Sequence, residues 1–430
     1  MNVAIPLIFS SFGWSLMVTC DRIMLAKFDL QVMNAVVVLG SLLFLFEWLV
    51  ASITVTTEIF AGQYNGLGKK TMAPIATWQM LILCIFSLLI YIPCGLFLGK
   101  YIIPEIYYDS AGDFFKIIMC FLVFSPATSA INGFFIGIKK TKIIMLNTFS
   151  ANILNILLSY IFIFGIEGYL KPMGALGAAI ATSICLGVQF IIIFLVFLRE
   201  HNHKTYKTRE YKLDKNIFYQ CLKLGIPSSV AMVTDIIGNY CILLMMGSYH
   251  PKYVSSYNIG LNVFIFVAFF LHGIHKAASG LAANIIGDRK IELIPYLLKS
   301  LLKLHLIFSS VIIALGVIFP EFTASFYTSD PEILYFAKIT LPWVALNFII
   351  DGVGWIVVGI LIAGGDTFFV MVASIIILWV FKVLPLYILF ELGISHIAIG
   401  WMVSTLGISV YTIVFYARYR SQRWLKLQLS

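Results

Sequence analysis

Asp351 sits near the middle of ITLPWVALNFIIDGVGWIVVGILIAGGDT, residues Ile339 to Thr367, a stretch long and apolar enough to cross a bilayer, which takes about 20 residues. An ionisable side chain at that depth costs on the order of 3 kcal/mol even on insertion scales, so it is expected to face the bundle interior and to serve a purpose there. Asn347 and Trp355, four residues to either side, share its helical face. A carboxylate framed by an amide and an indole suits a cation or a proton. Asp235 repeats the theme in GIPSSVAMVTDIIGNYCILLMM, eight residues after Pro227 and with Asn239 one turn on. Asp21 lies fifteen residues after Pro6, with Trp14 and Met17 below it on the same face. The bland alternative is a buried acid satisfied by amides or a lysine. For Asp21, which Arg22 follows, it is a structural salt bridge.

The chemistry open to such an acid is exchange. One negative site cannot hold a proton or a sodium ion and a cationic substrate at once, so binding one releases the other. Asp235 and Asp351 would form a single coupled site if their helices bring them face to face. Other polar residues in apolar runs are weaker candidates. Glu47 and Glu58 could line a cavity. His272, His275 and Lys276 cluster in LHGIHKAASG and could supply a cation that a departing substrate replaces, or they could simply be bonded core groups. Lys382 could neutralise one of the acids. Asn258 and Asn262, one turn apart, form a polar stripe able to offer oxygens to an ion.

Enzymatic chemistry has no support. No GxxxxGK[ST] loop occurs, so ATP is not expected to drive the chain directly, and neither HExxH nor GxSxG is present. The seven cysteines are scattered through apolar runs without CxxC spacing and read as small hydrophobes, with no metal site and no cofactor expected beyond a coupling Na⁺ or H⁺.

The elements that must position these groups follow from composition. Of 430 residues, 61% are hydrophobic and 11% charged, and the mean hydropathy is +0.98. A soluble domain has about 25% charged residues. The chain is therefore read as a polytopic, all-α membrane protein, and its first apolar run as a span rather than a cleavable leader. Apolar stretches at roughly 3–26, 33–60, 74–98, 115–138, 143–164, 174–198, 217–247, 255–283, 295–319, 334–363, 368–390 and 396–417 predict twelve transmembrane helices. With the N-terminus inside, 17 basic residues fall in the inner segments and six, Lys252 among them, in the outer ones. That asymmetry predicts both termini in the cytoplasm. It also accounts for the net charge of +9 without nucleic acid.

The one long polar connection, REHNHKTYKTREYKLDKN, predicts a solvated basic linker at 199–216 lying against anionic lipid. It separates an N-lobe at 1–198 from a C-lobe at 217–417, with a basic tail at 418–430. The halves repeat. Pro6 answers Pro227, and Lys69 answers Lys290, at an offset of 221, while Gly133 pairs with Gly359 and Thr141 with Thr367 at 226. Six helices per half insert with the same orientation. The expectation is two pseudo-symmetric six-helix lobes around a central cleft. Prolines at 6, 93, 126, 227, 342 and 385 mark places where helices could bend.

These residues resemble the multidrug and toxic compound extrusion (MATE) transporters over nearly the whole chain. The resemblance is carried by Pro6 and Asp21, by AGQYNGLG at the end of the second helix, by Ala277 to Gly287 in the eighth, and by the D…G…GGDT run from Asp351 to Thr367. It implies export of bulky organic cations against inward flow of Na⁺ or H⁺, by alternating access of the two lobes. It also implies a branch. NorM-like and plant-like members keep acids matching Asp235 and Asp351, whereas DinF-like members pair the first-helix acid with a second acid in the fifth helix, where this chain has Ser159. The C-lobe site is thus favoured. Asp21 and Arg22 would tune the N-lobe or the substrate path, and Trp14, Met17, Trp355, Asn258, Asn262, Glu47 and Lys276 would line the cavity. Arg22 and Lys276 depart from the neutral or small residues usual in the family. The expected setting is the plasma membrane, as a monomer in lipid. The alternatives are a related flippase of lipid-linked precursors, which would need cations for phosphate, and a channel or receptor.

Overall fold

A chain that leaves water must satisfy every backbone polar group within itself, and long apolar runs do so as helices. The computed structural model describes residues 1–430 except 104, 250, 326–329, 395, 427, 428 and 430, and leaves out the side chains at 102, 105–107, 109, 110, 249, 251–256 and 333. Lys252, counted above with the outer basic residues, falls among those undescribed side chains. Among the described residues, eleven helices are long and apolar enough to span a membrane, and two further segments meeting at 40° pass the same test together, making twelve if they form one span. In chain order they are α1 (Ala4–Phe28), α2 (Leu30–Gly66), α3 (Lys70–Tyr101), α4 (Ala111–Phe121 with Phe124–Gly137), α5 (Thr141–Phe164) and α6 (Ala175–Phe197). Then follow α7 (Lys215–Ser248), α8 (Tyr257–Gly287), α9 (Ile291–Ile318), α10 (Leu334–Ala363), α11 (Thr367–Glu391) and α12 (Ile399–Arg420).

Pro93, Pro227 and Pro342 lie inside helices, each removing one backbone donor. Pro93 is followed directly by a π-helical turn at Cys94–Leu98, and further wide turns occur at Ala314–Ile318 in α9 and Trp379–Val383 in α11. Such turns insert one residue per bulge and often sit at functional positions.

The chain divides into two compact units, Met1–Ser229 and Val230–Leu429. In the first, Leu25, Leu39, Phe115, Met119 and Ile163 lie at the core. Gly133 and Gly137 of α4 form a small-xxx-small stripe against α2: a Cβ at Gly137 would lie 2.6 Å from the Gly62 backbone nitrogen. Backbones that close gain packing where lipid offers no hydrophobic drive. The Thr57 hydroxyl of α2 donates to the Ala130 carbonyl at 2.9 Å across the same seam. In the second unit, Gly359 of α10 lets the chain approach the His275 carbonyl of α8, to which an added Cβ would come within 2.9 Å. Met246, Leu341, Leu378 and Trp401 anchor that unit's core.

The connection after α6 differs from the solvated linker its composition predicts. It forms a short helix, Glu200–Tyr206, whose Asn202 and Tyr206 are buried. The Asn202 amide donates to the Val196 carbonyl at 2.7 Å and accepts from Lys140 Nζ at 3.3 Å, while Lys140 also sits 5.7 Å from the Tyr206 ring centre. Beyond the helix, the Trp78 indole donates to the Thr208 carbonyl at 3.1 Å and Gln79 to the Lys212 carbonyl at 2.7 Å. An aromatic cluster of Trp78, Phe134, Phe197, Tyr206 and Tyr211 explains the docking, since basic residues flank rings that prefer burial. Desolvation holds the Lys140 ammonium below the ordinary lysine value, and burial pushes the Tyr206 phenol up.

The basic tail also docks. Asp366, fully buried between α10 and α11, receives Arg418 Nε at 2.7 Å and Lys426 Nζ at 2.6 Å. The Arg418 guanidinium lies 4.4 Å from the Phe369 ring centre. Trp424 is 2% exposed and presses on Gly364, where a Cβ would stand 2.4 Å from the indole.

Candidate functional site

The second unit brings together three charged side chains from three helices: Asp235 of α7, Asp351 of α10 and Lys382 of α11. Asp351 is 5% exposed, and the Trp355 indole, one turn along α10, lies within reach of its carboxylate. Asp235 is more open, and the Asn239 amide donates to its Oδ2 at 3.0 Å and to its backbone carbonyl at 2.8 Å. The two carboxylates lie close enough to act on each other electrostatically, and the Lys382 ammonium acts on both. The phenols of Tyr411 and Tyr257 complete the surroundings: Tyr411 of α12 is within electrostatic reach of both acids and Tyr257 of α8 within reach of Asp235.

Local packing explains why these helices converge. Three glycines stand where neighbours need room. Leu378 of α11 packs on Gly238 of α7, the Lys382 stem packs on Gly407 of α12, and the Tyr411 ring packs on Gly354 of α10. An added Cβ would stand 2.5, 2.3 and 2.9 Å, respectively, from those side chains. Lys382 itself lies in the wide turn Trp379–Val383 and is 7% exposed. An ammonium so placed within a membrane helix is costly unless charges of opposite sign share its surroundings.

Asn347 shares the α10 face as its spacing predicts, but its amide donates to the Ser404 hydroxyl of α12 at 3.2 Å, which ties the two helices. Trp355 faces two ways. Besides Asp351, its ring stands edge-on to His272 at 4.9 Å and to His275 at 5.3 Å, and its carbonyl meets His275 Nδ1 at 2.9 Å. Lys276 acts electrostatically on both histidines, so the cluster in LHGIHKAASG adjoins the acid site through the indole. Asn258 is half-buried and Asn262 exposed, on the same helix α8.

In the first unit Asp21 of α1 stands beside α5. The Asn155 amide, turned so that its nitrogen faces the carboxylate, donates to the two oxygens at 3.2 and 3.3 Å, and buried Ser159 lies alongside. Arg22 is exposed, and among the described residues no ion pair joins it to Asp21. The salt-bridge alternative therefore gives way to an acid met by a neutral amide. The Ser125 hydroxyl donates to Glu47 in a short hydrogen bond from α4 to α2. Trp14 is 44% exposed, 6.3 Å from Phe44, with Met17 half-buried one turn on.

Three partners escape the sequence reading. Asn155 is one of several asparagines in α5, and only its register against α1 distinguishes it. Ser404 is an ordinary helix serine until α10 lies beside it. His305 of α9, fully buried, bonds the Ile349 carbonyl at 2.9 Å and fills the notch left by Gly352, next to Asp351. The Gly352 that follows Asp351 is the one signal that could have pointed to it.

Comparison with known proteins joins this geometry to a family. The MatE family model matches residues 6–161 and again 227–388. Among curated proteins, the probable multidrug resistance protein YoeA of Bacillus subtilis is 24% identical over 332 residues, covering 76% of this chain and 71% of its own. The multidrug resistance protein MdtK of Photorhabdus laumondii is 24% identical, covering 97% of this chain and 94% of its own. Among solved structures, one described as the outward-facing conformation of a multidrug resistance MATE family transporter superposes with a TM-score of 0.89 at 18% identity, covering 99% of this chain and 96% of that one. A second, a MOP superfamily transporter from Pyrococcus furiosus whose description notes a binding pocket of reverse polarity, gives 0.88 at 17%, with 99% and 96% covered.

Proposed function

The chain belongs to the MatE family of multi-pass membrane transporters, and on that premise we propose that it exports lipophilic, cationic organic compounds in exchange for Na⁺ or H⁺. What supports this reading is that Asp351, buried on α10, and Asp235, on α7, lie within electrostatic reach of each other. An ion or proton on that pair and a positive cargo compete for the same negative charge, so the inward run of one releases the other. Trp355 and Asn239 orient the two carboxylates, and Asn347 holds α10 against α12. The acid pair supports the NorM-like or plant-like branch. Asp21, with Asn155 beside it, is a secondary group that tunes the N-lobe. The relatives named for multidrug resistance support small organic cargo; its positive charge, a monomeric state, cytoplasmic termini and a plasma-membrane setting are parts of the same proposal.

Proteoliposomes under separately imposed Na⁺ and H⁺ gradients provide the test. Asp235→Asn and Asp351→Asn should each reduce gradient-driven efflux more than about tenfold, by removing a charge that one partner must neutralise. Asp21→Asn should cost less than about threefold, since its partner is a neutral amide. Efflux undiminished in both C-lobe variants would reject the assigned site.

A further inference from the structure

We propose that Lys382 is a tethered cation of this site: it offsets one of the two carboxylate charges and sets at one the number of positive charges the site accepts in cargo or ion. The inference rests on the reading of Asp235 and Asp351 as the coupling pair.

Its geometry is built, not incidental. The wide turn Trp379–Val383 that carries Lys382 is pinned on the helices that bear or flank the acids. Leu378, just before the turn, packs on Gly238, three residues past Asp235. The lysine stem lies on Gly407, one turn before Tyr411, whose ring packs on Gly354, three residues past Asp351. A lysine with a purely structural task would pair directly with one acid. Among the described residues Lys382 makes no direct ion pair, yet it acts on both carboxylates. Its charge is therefore shared. With both carboxylates ionised, the one ammonium leaves the site a single negative charge. Lys276 acts electrostatically on His272 and His275, whose rings stand edge-on to Trp355, and the phenols of Tyr257 and Tyr411 lie within reach of the acids.

The test uses two dyes of one ring system, ethidium with a single positive charge and propidium with two, titrated by fluorescence on the full chain in nanodiscs. Lys382→Met keeps an unbranched stem against Gly407 and removes the charge; Lys382→Gln removes it with a polar end. In either, ethidium should bind about tenfold tighter and propidium about a hundredfold, because the repulsion removed scales with the charge on the dye. Lys382→Arg should keep the wild-type ratio. Equal changes for the two dyes in the Met and Gln variants overturn the proposal. Asp235→Asn gives a check that leaves Lys382 in place: the remaining acid and ammonium balance, neither dye should bind, and retained propidium binding overturns the proposal. If Asp235→Asn and Asp351→Asn both keep wild-type affinity for both dyes, the coupling-site reading itself has failed.

Discussion

The two units meet the same problem with opposite charges. Lys140 and Asp366 occupy corresponding places in the repeat, 226 residues apart, each just before the fifth helix of its half. In both halves the segment that follows the sixth helix folds back onto that position. In the first unit the position is a lysine, and its partners are an amide and a ring, Asn202 and Tyr206. In the second it is a buried carboxylate, and its partners are Arg418 and Lys426. The acids deeper in the helices divide in the same way, with Asp21 beside neutral Asn155 and Asp235 and Asp351 sharing Lys382. Duplication has kept the architecture of each half, while the charges placed on it have diverged. In the second unit charged groups meet charged partners at both depths; in the first, Lys140 and Asp21 meet neutral amides.

That contrast can be broken by substitution. The largest expected loss is at Asp366. Asp366→Ala strands Arg418, whose side chain is 16% exposed, and should cost about 3 kcal/mol of stability, as removal of one partner from a buried pair does. Thermal unfolding in detergent reads it. Next comes Gly137→Ala, where the added methyl meets backbone 2.6 Å away that cannot rotate aside; about 2 kcal/mol is expected from overpacking, read as a lowered Tm. Lys140→Ala should cost the least, below about 1 kcal/mol, because it removes one neutral-partner hydrogen bond and a distant ring contact. A loss at Lys140 equal to that at Asp366 would erase the distinction between the halves.

Much of the fold was legible because lipid imposes a length and an apolarity that few other environments demand. The twelve predicted stretches coincide with the observed spans within a few residues at most ends, and the broken fourth span is the only one that needed two segments among the described residues. Asp235 and Asp351 stood out for the same reason: isolated acids in apolar runs have no cheap explanation. What the residues did not announce was partnership. Lys382 reaches both acids through a wide turn and three glycine notches, none of which leaves a periodic trace. Asn155, Ser404 and His305 acquire meaning only from the register of neighbouring helices. The segment at 199–216 looked solvated because charge dominates its composition, yet the buried Tyr206 ring outweighs it, and in the basic tail the buried Trp424 indole does the same.

The Trp424 plug on Gly364 bears on how the protein can be handled. Arg420 looks like a natural place to end the chain or to join a purification tag, because the last long helix stops there. A fusion made at that point would replace the indole that fills the notch and the lysine that bonds the second oxygen of Asp366. A usable junction keeps both Trp424 and Lys426 in the chain.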